Sequence, residues 1–387
     1  MRILYFTQLF YPVLFGGGEY IFYQWAKDLS KKGHQVFVIT QRLENTSPHE
    51  TVNGIEIFRV GSPVKLSGTL PIGITSNLSF LISSFFKGID IVKKNKIDLI
   101  HSNTYIPVFA AHLCSKLTNR PHIVTMHDVY YSAKDNFWKS WSKQEKISPV
   151  SGILGPIIEK LIAKLSVTFH TVSEQSKQDM QSSLGIKKKI MVIPNGIDLD
   201  EYDIQNKNTE NQVIFIGRLV FYKNVEMLLG AFAKVIQKIP NSKLIIIGDG
   251  PLKIFLEKKA ESLKIKNNIK FTGNIPDSEK IDLLSKSRFL LNPSLVEGFG
   301  IVVLEAFACR KPVLVSDTKP LSDLVANSVD GFIVSSHDVD AWAEKIIQLL
   351  SNPKLCDTMG EKGRIKASDY SISKLSGKML ELYQSVI

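Results

Sequence analysis

The sequence predicts an α/β protein of two doubly wound, parallel-sheet domains in tandem, and three observations carry that expectation. Short β-rich apolar runs alternate with longer amphipathic stretches from end to end. The alternation stops once, at the polar stretch Asp198 to Gln212, and then restarts. At 387 residues the chain also exceeds the ~100 to 200 residues of an ordinary domain.

In chain order, strands are expected at Ile3 to Thr7, Val36 to Thr40, Ile55 to Val60, Asp98 to Ser102, Ile123 to Met126, Thr168 to Val172 and Met191 to Ile193. Helical patterns such as Glu19 to Lys32, Leu78 to Lys94 and Ile153 to Leu165 separate them, which is the βαβ rhythm of a sheet covered on both faces. Beyond the polar stretch, strands are expected at Val213 to Ile216, Lys243 to Ile247, Ile269 to Thr272, Phe289 to Asn292, Val313 to Ser316 and Gly331 to Val334. Asp338 to Ile387 then reads as three helices without another strand. These boundaries give a first Rossmann-like domain over residues 1–195 and a second over 196–368. A C-terminal helix over 369–387 is free to pack on either domain, crossing back onto the first included.

Hydrophobic residues at 44%, charged residues at 22% and 16 prolines exclude a disordered, collagenous or coiled-coil chain. Cys114, Cys309 and Cys356 stand far apart and form no Cys-x-x-Cys pair, so neither a disulfide framework nor a zinc module is expected, and a reducing compartment fits. Met1 to Phe6 runs directly into strand-like sequence, and the longest apolar run, Leu78 to Phe86, is too short to cross a bilayer. No exported or membrane-spanning segment is therefore expected. The net charge of +11 is uneven: residues 1–190 hold 23 Lys and Arg against 13 Asp and Glu, and residues 191–387 hold 25 against 24. Such an excess suits nucleic acid, an anionic membrane surface or a phosphorylated substrate, or serves solubility alone.

In open α/β sheets ligands sit beyond the carboxyl ends of the strands, so glycines and charges just after strands come first. Gly16-Gly17-Gly18-Glu19 opens the first helix and can bring free amides to an oxygen or phosphate; a tight turn without a ligand is the plain alternative. Gly217-Arg218-Leu219 follows a strand directly, with Lys223 five residues after the arginine. An arginine fork and a lysine point charge at a helix start can neutralise a pyrophosphate without a metal, although surface ion pairing explains the same two residues. Gly248-Asp249-Gly250-Pro251 follows the next strand, with Pro251 suited to the first position of a helix. The most specific stretch runs from Asn292 to Glu305: Glu297 lies in a glycine-containing loop, a helix begins near Gly300, the amides of Phe299, Gly300 and Ile301 point out of its start, and Glu305 lies about one and a half turns along it. The pairs Asp198/Asp200 and Asp338/Asp340 fall at a linker start and a helix start, where N-capping explains them better than a metal-bound donor.

Glu297 and Glu305 at this spacing, with Gly298-Phe299-Gly300, resemble the Glu-x7-Glu signature of retaining glycosyltransferases of family 4. Gly16 to Glu19, Thr125-Met126-His127-Asp128, Thr171 to Glu174, Pro194 to Asp198, Gly217 to Leu219 with Lys223, and Gly248 to Pro251 occur in the order of that family. The resemblance implies the GT-B architecture, two facing Rossmann-like domains with a central cleft, and a nucleotide-sugar donor such as a UDP-sugar or GDP-sugar on the second domain. It implies that Arg218 and Lys223 hold the pyrophosphate, Glu305 the ribose hydroxyls and Glu297 a hydroxyl of the transferred sugar. Amides at Phe299, Gly300 and Ile301 would bind sugar and phosphate oxygens, Gly248 and Asn274 would lie along the nucleotide, Gly16 and Gly17 would close over the phosphates, and His127 would face the donor sugar. Asn195 and Gly196 would shape the hinge loop. No cofactor, no metal and no nucleic acid enter this scheme. The acceptor hydroxyl would attack the face that the phosphate leaves, with the leaving phosphate taking its proton.

Between Val129 and Ser151, Tyr130, Tyr131, Phe137, Trp138 and Trp141 are interleaved with Lys134, Lys139, Lys143 and Lys146, and an amphipathic helix with Lys160 and Lys164 off its apolar face follows. Rings with lysines suit an interfacial segment, and a core-facing helix is the alternative. The expected activity is sugar transfer to a lipid-linked or saccharide acceptor by an enzyme held peripherally at the cytoplasmic face of a membrane. Competing readings are a nucleotide-sugar epimerase of similar architecture and a non-catalytic sugar-nucleotide-binding protein.

Overall fold

The computed structural model describes residues 1–14, 16–65, 73–130, 137–144, 149–203 and 210–387, with the backbone alone for residues 144 and 149–151. The chain divides into two compact units, Met1–Gly196 with Ile372–Ile387, and Ile197–Ser371.

In the first unit, β1 (Arg2–Phe6), β2 (Gln35–Leu43), β3 (His49–Val52) and β4 (Ile55–Val64) are joined by β5 (Leu99–Asn103), β6 (His122–Met126), β7 (Thr168–Thr171) and β8 (Ile190–Val192). They form one sheet in the order β3-β4-β2-β1-β5-β6-β7-β8. The helices are α1 (Gly17–Lys31), α2 (Ile74–Asn95), α3 (Pro107–Thr118), α4 (Phe137–Gln144), α5 (Pro149–Ala163) and α6 (Glu174–Ser182). β1, β5 and β6 are buried along nearly their whole length, as strands covered on both faces must be. Ser173 caps α6 by accepting from the Ser176 amide at 3.1 Å, and Pro107 opens α3 without wasting a donor.

The second unit orders β9 (Gln212–Ile216), β10 (Lys243–Ile247), β11 (Ile269–Gly273), β12 (Leu290–Asn292), β13 (Val313–Ser316) and β14 (Gly331–Val334) as β11-β10-β9-β12-β13-β14, all parallel. Its helices are α7 (Val225–Lys238), α8 (Lys253–Ser262), α9 (Asp277–Lys286), α10 (Ile301–Ala308), α11 (Leu321–Leu324), α12 (Val339–Leu350) and α13 (Pro353–Ala367). Val213, Phe215, Leu244, Ile246 and Leu291 pack against Leu228, Phe232, Trp342 and Ile346 in one core. The last helix, α14 (Ile372–Gln384), belongs to the first unit and packs on α1, where Lys32 Nζ donates to Ser376 Oγ at 2.8 Å.

Every strand expected from the sequence is present, and each unit is a doubly wound α/β layer. Three local expectations are corrected. β3 is an additional, antiparallel strand on β4, joined to it through Asn53 and Gly54, both at positive φ. That is a two-residue hairpin turn matched to the twist of its strands. The stretch read as a linker with few anchors carries a 3-10 turn, Leu199–Tyr202, whose Tyr202 is buried; residues 204–209 of it lie outside the described residues. Pro251 sits in a turn, and α8 begins two residues later at Lys253.

Candidate functional site

In the second unit the chain winds outward in one direction from β9 to β11 and in the other from β12 to β14, so the connections diverge between β9 and β12. At such a switch point the loops leaving the two strands part and open a crevice at their carboxyl ends. The loop after β9 carries Gly217, Arg218 and, in the 3-10 turn Phe221–Lys223, Lys223; the loop after β12 carries Glu297. The Leu295 amide donates to the Tyr222 carbonyl at 2.7 Å and ties the two loops together. Lys223 Nζ donates to Glu297 Oε2 at 2.6 Å, with both side chains largely buried. A cation and a carboxylate thus meet across the switch point, and Arg218, half-buried, lies in the same loop as the lysine.

Glu305, on α10, is 4% exposed. Its Oε1 accepts from Lys280 Nζ at 2.8 Å and from Tyr202 Oη at 2.9 Å, while Oε2 has no partner among the described residues. A buried carboxylate oxygen without a donor is costly, and this one has room in its bonding for a further hydrogen bond. Burial alone would lower the Lys280 pKa; Glu305 and Asp277, whose Oδ1 lies 2.8 Å from Nζ, outweigh it and hold the ammonium above the usual lysine range.

Gly300 caps α10 at φ 91°, a left-handed conformation that L side chains rarely adopt, and a Cβ there would meet Leu321 at 2.5 Å. It turns the chain so that the first amides of α10, Ile301 among them, start a helix without intrahelical acceptors. Phe299 packs its ring at 6.0 Å from Tyr370 and is buried. Below the loop, Ser294 Oγ donates to Asn292 Oδ1 at 2.7 Å, and the Ser294 carbonyl accepts from Ser316 Oγ at 2.6 Å. Along the same strand edge the Gly248 amide donates to the Gly273 carbonyl at 2.9 Å, and a Cβ on Gly248 would lie 2.1 Å from the Gly217 carbonyl oxygen. Only glycine lets those loops close so tightly. Asn274, exposed, follows directly.

In the first unit His127 follows β6. Its two ring nitrogens are shut from solvent and have no partner among the described residues, and burial, with a smaller push from His170, lowers its pKa to about 3. The imidazole is therefore neutral at neutral pH. Gly16 caps α1 and Gly17 opens it, but the glycine in contact with the histidine is Gly18, where a Cβ would lie 3.1 Å from His127 Cδ2. Behind His127 runs a buried chain of neutral groups. His170 Nε2 lies 3.0 Å from the Ile193 carbonyl, which can only accept, and this fixes every donor upstream. Thr125 Oγ1 donates to His170 Nδ1 at 2.8 Å, His101 Nε2 to Thr125 Oγ1 at 2.6 Å, Tyr383 Oη to His101 Nδ1 at 2.7 Å, and Tyr5 Oη to Tyr383 Oη at 2.9 Å. Gly196 and Ile372 close the same region, since a Cβ on Gly196 would meet Ile372 Cα at 2.9 Å.

Within the aromatic segment Phe137 turns inward, while Trp138 and Trp141 are half-buried. Phe137 is buried and stacks on Tyr130 at 4.2 Å, Trp138 lies edge-on to Tyr105, Tyr130 and Trp141 with its indole nitrogen shut from solvent, and a Cβ on Gly155 of α5 would collide with Trp138 at 2.4 Å. The Trp138 ring packs between α4 and α5; Tyr131, Lys134 and Lys146 lie outside the described residues. Of the aspartate pairs, Asp338 caps α12 by accepting from the Ala341 amide at 2.9 Å, whereas Asp198 precedes its 3-10 turn without capping it. Among the described residues no three His, Cys, Asp or Glu side chains are grouped to hold a metal ion, and no helix is long and apolar enough to cross a membrane.

Lys280, Tyr202 and Gly18 are the site residues that the sequence did not single out. Lys280 and Tyr202 stand 25 and 103 positions from Glu305, with no local pattern to join them to it. Gly18 was visible as the third of three glycines, and only the position of His127 distinguishes it.

Residues 15–201 match the family model described as Glycosyltransferase Family 4, and residues 198–366 match that of Glycosyl transferases group 1. The alpha-monoglucosyldiacylglycerol synthase of Streptococcus pneumoniae is 25% identical over 386 residues, covering 94% of this chain and 81% of the relative. Among solved structures, sucrose-phosphate synthase from Thermosynechococcus elongatus superposes with a TM-score of 0.82 at 19% identity, covering 100% of this chain and 99% of that one. Anabaena HepE in complex with UDP and glucose gives 0.75 at 20% identity with 100% of both chains covered. With one family model on each half, and the fold shared with GT-B enzymes along the whole length, the chain belongs to the group 1 and family 4 glycosyltransferases.

Proposed function

We propose that the protein is a retaining glycosyltransferase that moves a sugar from a nucleotide-sugar donor to a lipid-linked or saccharide acceptor, without a metal or cofactor, at the cytoplasmic face of a membrane. The observation that carries this reading is the Lys223–Glu297 pair at the β9/β12 switch point. A lysine with three donors can keep the carboxylate and still take a phosphate oxygen, so the pair offers a cation to the departing diphosphate and an acceptor to a sugar hydroxyl in one place. Arg218 and the amides of Phe299, Gly300 and Ile301 add fixed positive ends, and the open Oε2 of Glu305 suits a ribose hydroxyl. Gly248 and Asn274 are assigned to the nucleotide; in the first unit His127, Gly16 and Gly17 are assigned to the donor's sugar and phosphates.

In the proposed step the acceptor oxygen bonds to the anomeric carbon on the face that the diphosphate leaves. The carbon–oxygen bond to phosphate breaks with its electron pair going to the phosphate oxygen, which takes the acceptor's proton. Binding of UDP and glucose by HepE, and the glycolipid product in the name of the pneumococcal relative, support a sugar-nucleotide donor and a lipid acceptor. The test is incubation with a panel of UDP- and GDP-sugars, reading nucleoside diphosphate release and, with an acceptor, the anomeric configuration of the product. An inverted product overturns the retaining step, and absence of release with every donor overturns the reading.

A further inference from the structure

The first unit turns an apolar face to water that the described residues do not cover. The crossovers from β4 to β5, β5 to β6 and β6 to β7 all run in one direction across the sheet, so right-handedness puts α2, α3 and α5 in one layer on the same side. Their inner faces share cores: Phe80 and Ile91 of α2 with Ala111 and Cys114 of α3, and Val108 of α3 with Ile162 of α5. The outer faces of ordinary surface helices are polar. Here α2 exposes Ile74, Leu78, Ile82 and Phe86, about one residue per turn, with Phe86 66% exposed and on the side away from Phe80 and Ile91. α3 exposes Leu113 and Leu117, the latter at 71%. α5 exposes Ile153, Leu154, Ile157 and Leu161. Ten large apolar side chains on one layer are more than scattered surface exposure, and a patch of this kind marks an interaction surface.

The charges around the patch identify what fits it. Lys93 and Lys94 on α2, Lys116 on α3 and Lys160 on α5 are exposed, as are Lys164 just beyond α5 and Lys139 and Lys143 on α4. Carboxylates are nearly missing from the same helices. α3 has none, Glu159 of α5 is buried and accepts from Tyr105 Oη at 3.2 Å and the Tyr130 amide at 3.1 Å, and Asp90 of α2 is held by Lys94 at 2.9 Å and Lys87 at 3.4 Å. Against a second copy of the chain, an isologous contact would set lysines against lysines. An anionic bilayer supplies both what the lysines and what the apolar side chains lack.

We propose that the outer face of α2, α3 and α5 docks this protein on an anionic phospholipid bilayer, with Leu78, Ile82, Phe86, Ile157 and Leu161 entering between headgroups while the flanking lysines meet lipid phosphates. This rests on the reading that the acceptor lies at a membrane, and it gives the contact to these helices in place of Trp138 and Trp141.

The full chain is sedimented with phosphatidylcholine vesicles with and without phosphatidylglycerol, at low and high salt, and its oligomeric state is measured without vesicles. The parent binds the phosphatidylglycerol vesicles, and salt weakens that binding by screening. The variant Leu78→Glu/Ile82→Glu/Phe86→Glu, or Ile157→Glu/Leu161→Glu, lowers vesicle partitioning at least ~10-fold, since each buries charge where an apolar side chain entered. Ile254→Glu, at an equally exposed apolar position of the second unit, leaves it unchanged. Nucleoside diphosphate release from donor is the same in all of them. The proposal is overturned if the parent ignores phosphatidylglycerol vesicles, if both helix variants bind as the parent does, or if the parent is a dimer that these variants dissolve. Vesicle binding by a parent that releases no diphosphate from any sugar nucleotide sinks the glycosyltransferase reading and leaves the docking face standing; the converse result does the reverse.

Discussion

The first unit carries 25 Lys and Arg against 14 Asp and Glu, and seven of the eight histidines; the second carries 23 against 23, and one histidine. Under the proposed function, net charge is a poor guide to where the diphosphate is held. The neutral unit holds opposite charges in close pairs, Lys223 with Glu297 and Lys280 between Glu305 and Asp277. The basic unit spreads lysines over helix surfaces and runs a chain of neutral groups through its interior, where His101, Thr125, His170 and Tyr383 exchange hydrogen bonds. A local pair of opposite sign can grip a phosphate at zero net charge, whereas a diffuse excess acts on an extended surface.

The contrast is broken or sharpened most strongly by acid. Burial holds His122 at about 3 and His170 at about 4, and His101 well below its ordinary 6.5. All three belong to the first unit. Above pH 6.5 these groups are neutral folded or unfolded and contribute no pH dependence; below it the unfolded chain takes up protons that the folded one refuses, so stability falls as pH drops from 6.5 toward 4. His122 and His170 each remove about 2 kcal/mol by pH 5. Hydrogen exchange followed unit by unit should show the first unit opening between pH 6.5 and 4 while β9 to β14 stay protected. Equal loss of protection in both units would abolish the asymmetry.

Next in size is the second unit's chemistry. Arg218→Ala or Lys223→Ala should lower turnover by at least ~100-fold, as loss of a preorganised charge at a leaving group does, with thermal unfolding nearly unchanged. Turnover at the parent's rate in both variants would remove the anion site from the switch point.

Smaller again is Lys280→Met. Among the described residues it leaves Glu305 buried with Tyr202 as its one remaining donor, a loss of about 1–3 kcal/mol for a buried acceptor deprived of a partner. Unfolding should be affected in the second unit alone, and donor KM should rise while vesicle binding stays as in the parent. An unchanged midpoint and KM would show that Tyr202 suffices to hold the carboxylate.

What the sequence reveals follows the same division. Strands and post-strand glycines are local features, so the two sheets and the order Gly217, Lys223, Gly248, Glu297, Glu305 can be read along the chain. Asn53-Gly54, the strongest hairpin signal, follows β3 directly, yet His49–Val52 has no apolar face to mark it as a strand. Trp138 and its lysine neighbours have the composition of an interfacial segment, and the packing of the Trp138 ring depends on Gly155, seventeen residues away on α5. α2 carries two apolar stripes, and periodicity alone does not tell the one over the sheet from the one facing water. Lys280 and Tyr202 reach Glu305 only through the fold.

The smallest expected effect is that of chelation. If the neutral unit stabilises a departing diphosphate with its own groups, the positive charge must come from Arg218, Lys223 and the amides at the start of α10, all fixed before the donor arrives. Each is a hydrogen-bond donor to an ionised oxygen, the strong class of such bonds, and Lys223 is already held in place by Glu297 at 2.6 Å. EDTA should then change the initial rate of diphosphate release by less than ~2-fold, since no divalent charge is withdrawn from the leaving group. Complete loss of activity in EDTA, restored by magnesium or manganese, would mean that a unit of zero net charge does not neutralise a pyrophosphate alone. The pairing of Lys223 with Glu297 would then hold the loop without serving the reaction.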